Sequence, residues 1–254
     1  MRTTRQRGFT LVEIMVAMAI GLFLTGALLT IVQTNKAVFA NQNLLEQMQD
    51  GQRMAMTLMG DIIQSAGYFP DPTTNTLNGT LLASTAYGTF ANSQAITGQY
   101  SAALPGDSIS VRYMTAGSDG ILNCSGLSNP NAPPPGGANI LYVNQFAVVP
   151  GVPAGTPGQL VCTMNGTAYT LVNGVTNLSV LYGVKTNAGA AGNNVDTYMN
   201  ATQVNAGNYW QNVISVLISL TFANPLYTQP GRGQPATITI QRLVGVMNQT
   251  GPTT

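Results

Sequence analysis

Residues 8–13 read Gly8-Phe9-Thr10-Leu11-Val12-Glu13, and the apolar run continues as IMVAMAIGLFLTGALLTIV to Val32. Residues 9–32 are 24 positions with a single charge, Glu13. A helix rises about 1.5 Å per residue, so this stretch spans roughly 36 Å, enough for a hydrocarbon core of about 30 Å. Arg2, Arg5 and Arg7 precede it, and only Lys36 follows closely. That asymmetry predicts a cytoplasmic N-terminus with the rest of the chain outside.

Two ordinary readings fit this segment less well. A secretory signal cut after Val38-Phe39-Ala40 would have an apolar region of about 7–15 residues; here residues 14–32 run 19 without a charge. A plain one-pass anchor leaves Glu13 without a purpose. A carboxylate among lipid tails costs about 2.5 kcal/mol or more on insertion scales and normally marks a function with a partner.

The string from Gly8 to Glu13 resembles the class III signal of type IV pilins and of type II secretion pseudopilins. The resemblance implies that a membrane peptidase cuts between Gly8 and Phe9 and N-methylates Phe9, the apolar helix being retained. It makes residues 1–8 a cleaved basic leader and Glu13 the family's assembly carboxylate, paired with the new Phe9 amine of a neighbouring subunit. Major pilins often carry a helix-kinking Pro in the second half of this segment; Leu28-Leu29-Thr30-Ile31 has none. Gly21 and Gly26 are the helix weakeners, at about 1 kcal/mol each against Ala. Ala17, Gly21 and Thr25 form a small-residue stripe suited to helix packing.

Beyond the membrane segment, Leu44, Met48, Gly51, Ala55, Leu58, Ile62 and Ala66 recur at helical spacing. Gln47, Gln49, Asp50, Gln52, Arg53 and Asp61 lie opposite. This predicts an amphipathic continuation over residues 33–67, capped by Gly67 and stopped by Pro70 and Pro72. Met48, Met54, Met56 and Met59 read as adaptable core. Residues 68–254 read as a β-rich globular domain. Strands are predicted over 109–113, 140–149, 159–164, 168–172, 175–184, 213–222 and 237–240, separated by turns rich in Gly, Pro and Asn. Residues 129–137 and 186–194 read as loops, and 73–107 show no clear period. The expected fold is α+β and pilin-like: a long N-terminal helix, apolar then amphipathic, packed on an antiparallel β-rich domain.

Composition narrows the chemistry. Of 254 residues, 9 are Lys or Arg, 8 are Asp or Glu and none is His. A net charge of +1 argues against nucleic-acid binding, which needs a basic face. Without His there is no Ser-His-Asp triad and no His-ligated zinc. Asp71, Asp107, Asp119 and Asp196 read as turn residues, Arg112 as a surface or interface charge, and Tyr209 and Trp210 as packing residues. No catalytic residue, metal site or cofactor is expected. Cys124 and Cys162 both follow the membrane segment, where an oxidising periplasm favours a disulfide. Closing a loop of that size is worth about 4 kcal/mol on the chain-entropy model.

Several runs look like the PilW family of minor pilins: residues 61–68, 108–113, 159–162, 174–184 and 208–213. Relatives often follow the Tyr182-Gly183-Val184 run with an acidic, calcium-like loop. Here Lys185 and TNAGAAGNN follow, with only Asp196 nearby, too few oxygen ligands for a hard cation. The resemblance implies a non-enzymatic subunit that primes or caps type IV pilus assembly. Its partners would be major and minor pilins, the prepilin peptidase and the inner-membrane assembly machinery. It would reside in the inner membrane with its C-terminal domain in the periplasm, then in the pilus. A mature chain of 246 residues (254 less eight) is large for a pilin, which favours priming or capping over tiling. A type II secretion pseudopilin and a pilus-tip adhesin are the alternatives.

Overall fold

The computed structural model describes residues 8–134, 136–153, 155–187, 192, 194–227 and 233–247. The leader arginines Arg2, Arg5 and Arg7, and part of the predicted loop over 186–194, lie outside the described residues. The chain divides into two compact units, residues 1–47 and 48–254.

In the first unit the described residues form the opening of helix α1 (Leu11–Gln64). Every residue from Gly8 to Ala40 is exposed, including Phe9, Leu22 and Phe23 at 77% or more. The apolar composition is that of a membrane span by length and content, and nothing within the unit covers it.

The second unit holds the rest of α1 and one eight-stranded antiparallel sheet. A short α2 (Leu77–Thr80) precedes β1 (Ile96–Gln99), β2 (Ser108–Thr115), β3 (Ile140–Val149), β4 (Gly158–Met164) and β5 (Thr167–Val184). Then come β6 (Thr197–Met199), α3 (Ala201–Ala206), a 3-10 turn at Trp210–Asn212, β7 (Val213–Ala223) and β8 (Thr237–Gly245). The spatial order is β1-β2-β3-β4-β5-β7-β8, with β6 also on β5. Ala55, Met59, Ile62 and Ile63 of α1 are buried in one core with Phe146, Leu160, Leu178, Val216 and Phe222 of the sheet. Of the helical spacing read from the sequence, Met48, Ala55, Ile62 and Ala66 belong to this core while Leu44 is 43% exposed, and the pilin-like α+β expectation holds. Met54 is the exception in the methionine stripe, 54% exposed.

Two glycines bring α1 close to the strands. A Cβ at Gly51 would lie 2.9 Å from Val172 Cγ1, and one at Gly60 would lie 2.8 Å from Arg242 Cζ. Arg242 reaches over that spot to donate Nη1 to the carbonyl of Met56 at 2.9 Å. Gly67 adopts φ +76° just past the helix, and its N–H donates to the carbonyl of Arg112, which ends the helix and ties it to β2.

The predicted strands at 168–172 and 175–184 are one strand, β5. It pairs with β4 along its first half and with β7 along its second. Gly174 at φ +84° and a register shift between Val175 and Asn177 let it bend midway. The sheet curls far enough that the segment before β2 meets β5. Asp107 donates its N–H to the Leu178 carbonyl at 2.7 Å, and its carboxylate accepts from the N–H of Val180 and of Ser101, both at 2.8 Å. Residues 73–107 supply α2, β1 and this stitch.

Candidate functional site

At the start of α1, Thr10 and Glu13 form a reciprocal pair. Glu13 Oε2 accepts from the Thr10 N–H at 2.8 Å and from the Thr10 hydroxyl at 2.9 Å, while the Glu13 N–H donates to Thr10 Oγ1 at 3.3 Å. This is a capping box: two N–H groups that a helix N-terminus leaves without partners are satisfied by the two side chains. The Thr-x-x-Glu spacing was available in the sequence as its signature, beside the charge in the apolar run. Oε1 takes part in none of these bonds.

Gly8 precedes the box. A Cβ placed there would meet nothing within 4 Å, so the chain's own packing does not demand glycine at that position. Phe9 is 84% exposed. Ala17, Gly21 and Thr25 fall on one stripe of α1, all exposed, with the Thr25 hydroxyl bonded to the Gly21 carbonyl. Cβ atoms at Gly21 and Gly26 would likewise meet nothing. The helix surface thus offers small residues, one carboxylate oxygen and a large apolar area.

Cys124 and Cys162 are joined, with Cα atoms 6.4 Å apart. Cys162 sits on β4 opposite Phe146, and Cys124 lies in the β2–β3 connection. The same connection is held by the Cys124 N–H donating to Asn144 Oδ1 at 3.0 Å and by the Tyr113 hydroxyl donating to the Leu122 carbonyl at 2.7 Å. Tyr113 and Tyr142 meet edge to face there.

Arg112 requires a correction. The expectation of a surface or interface charge fails: the residue is 0% exposed. Its guanidinium donates to the carbonyls of Gln94, Leu82, Leu81 and Ala91, at 2.6, 2.5, 3.1 and 2.7 Å. It also lies 4.6 Å from the Phe90 ring centre. No carboxylate pairs with it among the described residues. A planar fork with five N–H groups can pin a loop in this way by saturating main-chain acceptors. Burial pulls its pKa down to about 10. Strand alternation alone could not reveal this, because the acceptors come from residues 18 to 31 positions earlier.

The other singled-out residues have structural surroundings. Asp119 accepts from the N–H groups of Ala116 and Ile121, and Asp196 from those of Thr186 and Asn187. These bonds, the N–H of Asn187 first, hold the Asp196 pKa below its ordinary value. Asp71 turns the chain at φ 55°. Trp210 is buried and meets Tyr182 edge to face at 5.0 Å, while Tyr209 packs at the border of the core.

A processing-type N-terminus on an uncovered apolar helix, with the same helix continuing onto a curled antiparallel sheet, defines the pilin-like class. Residues 3–29 match the prokaryotic N-terminal methylation motif. Residues 151–250, less than half of the chain, match the family described as type IV pilus-assembly protein W. The matched segment runs from β4 through β8, so the resembling runs at 61–68 and 108–113 lie outside it. No curated protein and no solved structure matches the chain. The family is a structural, non-enzymatic one, and its processing motif implies partners in the pilus machinery.

Proposed function

We propose that this chain is a minor pilin that primes or caps type IV pilus assembly. It enters the inner membrane through residues 9–32 with its N-terminus in the cytoplasm and its C-terminal domain in the periplasm. The prepilin peptidase hydrolyses the Gly8–Phe9 bond and methylates the Phe9 amine. Glu13 then receives the amine of a neighbouring subunit's first residue.

The observation that carries this reading is the uncovered helix. An apolar surface extending from Phe9 to Val32, exposed throughout, is stable only in lipid or against other apolar helices. A filament core supplies the second once the subunit leaves the first. The capping box supports the role of Glu13. It keeps the carboxylate hydrogen-bonded through Oε2 before assembly, which leaves Oε1 to accept from a cation. Leaving one charge of such a pair unmatched costs about 3–5 kcal/mol when buried, so register along the filament follows from the pairing.

Deletion of the gene tests the priming role. Surface pili should be lost, and antibody to the C-terminal domain should label filament ends in the complemented strain. Normal pilus numbers after deletion, or label along the whole shaft, would reject it.

A further inference from the structure

Beyond assembly, the end of the sheet carries a groove of about 710 Å³ along β1, within the roughly 300–1,000 Å³ typical of small-molecule sites. None of its lining residues carries a formal charge. Its polar groups are amides and hydroxyls. Thr97, Ser110 and Gln145 stand side by side on β1, β2 and β3 as direct cross-strand partners, which spaces them about 4.8 Å apart.

Ser110 is 3% exposed, yet its hydroxyl bonds to no other described residue and borders the groove. On the opposite face of β1, Tyr182 carries a fully buried hydroxyl with no partner. That hydroxyl lies against Gly98 of the groove, where a Cβ would collide with it. The Ser110 hydroxyl is thus left for a partner from outside the chain. Two aromatic residues line it: Tyr100, 47% exposed, and Trp210, whose indole N–H donates to Asn205 Oδ1 at 3.4 Å. Arg112 is the pin behind the near wall, fixing the carbonyls of Ala91 and Gln94.

We propose that this groove binds a neutral glycan. Sugar hydroxyls both donate and accept, as do amides and hydroxyls, and an apolar sugar face packs on an aromatic ring. A row of three such groups at strand spacing suits successive hydroxyls along a sugar chain. Anionic ligands find no cation among the lining residues. An added peptide strand is disfavoured because β1 is only four residues long and Gln94 Nε2 already occupies the outward carbonyl of Ile96 at 2.8 Å.

The test uses the full chain in lipid nanodiscs, free of sugar-based detergent, on a printed array of neutral and anionic oligosaccharides. Binding confined to neutral glycans is expected. Ser110→Ala with Gln145→Ala should weaken it at least tenfold with the urea midpoint unchanged. Thr202→Trp, an exposed change at the rim, should block entry without touching the core. Failure to bind any neutral glycan, preference for anionic ones, or full binding by both variants would overturn the proposal. So would protection of the Gly98 amide from hydrogen exchange by a strand-forming peptide in place of a glycan.

Discussion

Gly8, Glu13 and Arg112 set three residue-scale expectations. Because nothing in the chain crowds a side chain at Gly8, Gly8→Val should leave folding and insertion intact. Under the proposed processing, intact mass should still include residues 1–8; normal shortening of this variant would contradict it. Glu13→Ala removes the proposed acceptor for the neighbour's ammonium. It should insert normally but fall at least about tenfold in filament occupancy, since each 1.4 kcal/mol is a factor of ten. Quantitative mass spectrometry of sheared pili measures this, and wild-type occupancy would reject the pairing. Arg112→Ala would strip donors from four carbonyls in and beside the core, at about 1–3 kcal/mol for each group left unsatisfied. We expect a loss of about 3 kcal/mol or more by urea denaturation. Arg112→Lys should recover part of it, because an ammonium reaches fewer acceptors and cannot lie flat on Phe90.

At the scale of elements, legibility followed from range. The long amphipathic turns of α1 and the strands β3, β4 and β7 show periods set by one core, and their sequences carry those periods openly. β5 reads as two strands because Gly174 interrupts the pattern; only the pairing with β4 on one side and β7 on the other shows that the backbone continues. β1 and β6 span four and three residues, too short for any period to emerge. α3 has a sequence signature, Asn200 and Gln203 in a reciprocal capping box, which pattern-reading by hydrophobicity passes over. The α1–sheet contact gives an element-scale test. Gly60→Val would push against Arg242 and its bond to Met56, and overpacking of this kind costs about 1–3 kcal/mol. A lowered urea midpoint should accompany it, whereas Gly26→Val, in open surroundings, should not shift the midpoint.

For the whole molecule, the disulfide and the buried tyrosines decide stability. The bridge spans 38 positions, and its loss should cost about 2–5 kcal/mol. Cys162→Ser should therefore unfold at lower urea, and peptide mapping without reductant should recover Cys124 and Cys162 as one linked pair. Burial raises the hydroxyl pKa of both Tyr113 and Tyr182 above the ordinary 10.0, with Asp107 adding to the shift at Tyr182. A raised folded-state value means the folded protein holds those protons longer. Their contribution is complete below pH 10 and is lost as pH rises beyond it. Alkaline titration should show tyrosine absorbance changing together with unfolding, and independent, reversible ionisation of all ten tyrosines without unfolding would contradict this.

The order of residues alone determined the apolar helix, the processing motif, the class of fold and the poverty of charged chemistry, because each rests on spacing or composition within a short window. Folding in three dimensions decided that Arg112 is an internal pin, that Asp107 stitches the curled sheet onto β5, and that uncharged side chains from β1, β2 and β3 line one groove. Those roles depend on strand register and on partners as far as 73 positions away. No local period can encode a contact whose other half is supplied by the closing of the sheet.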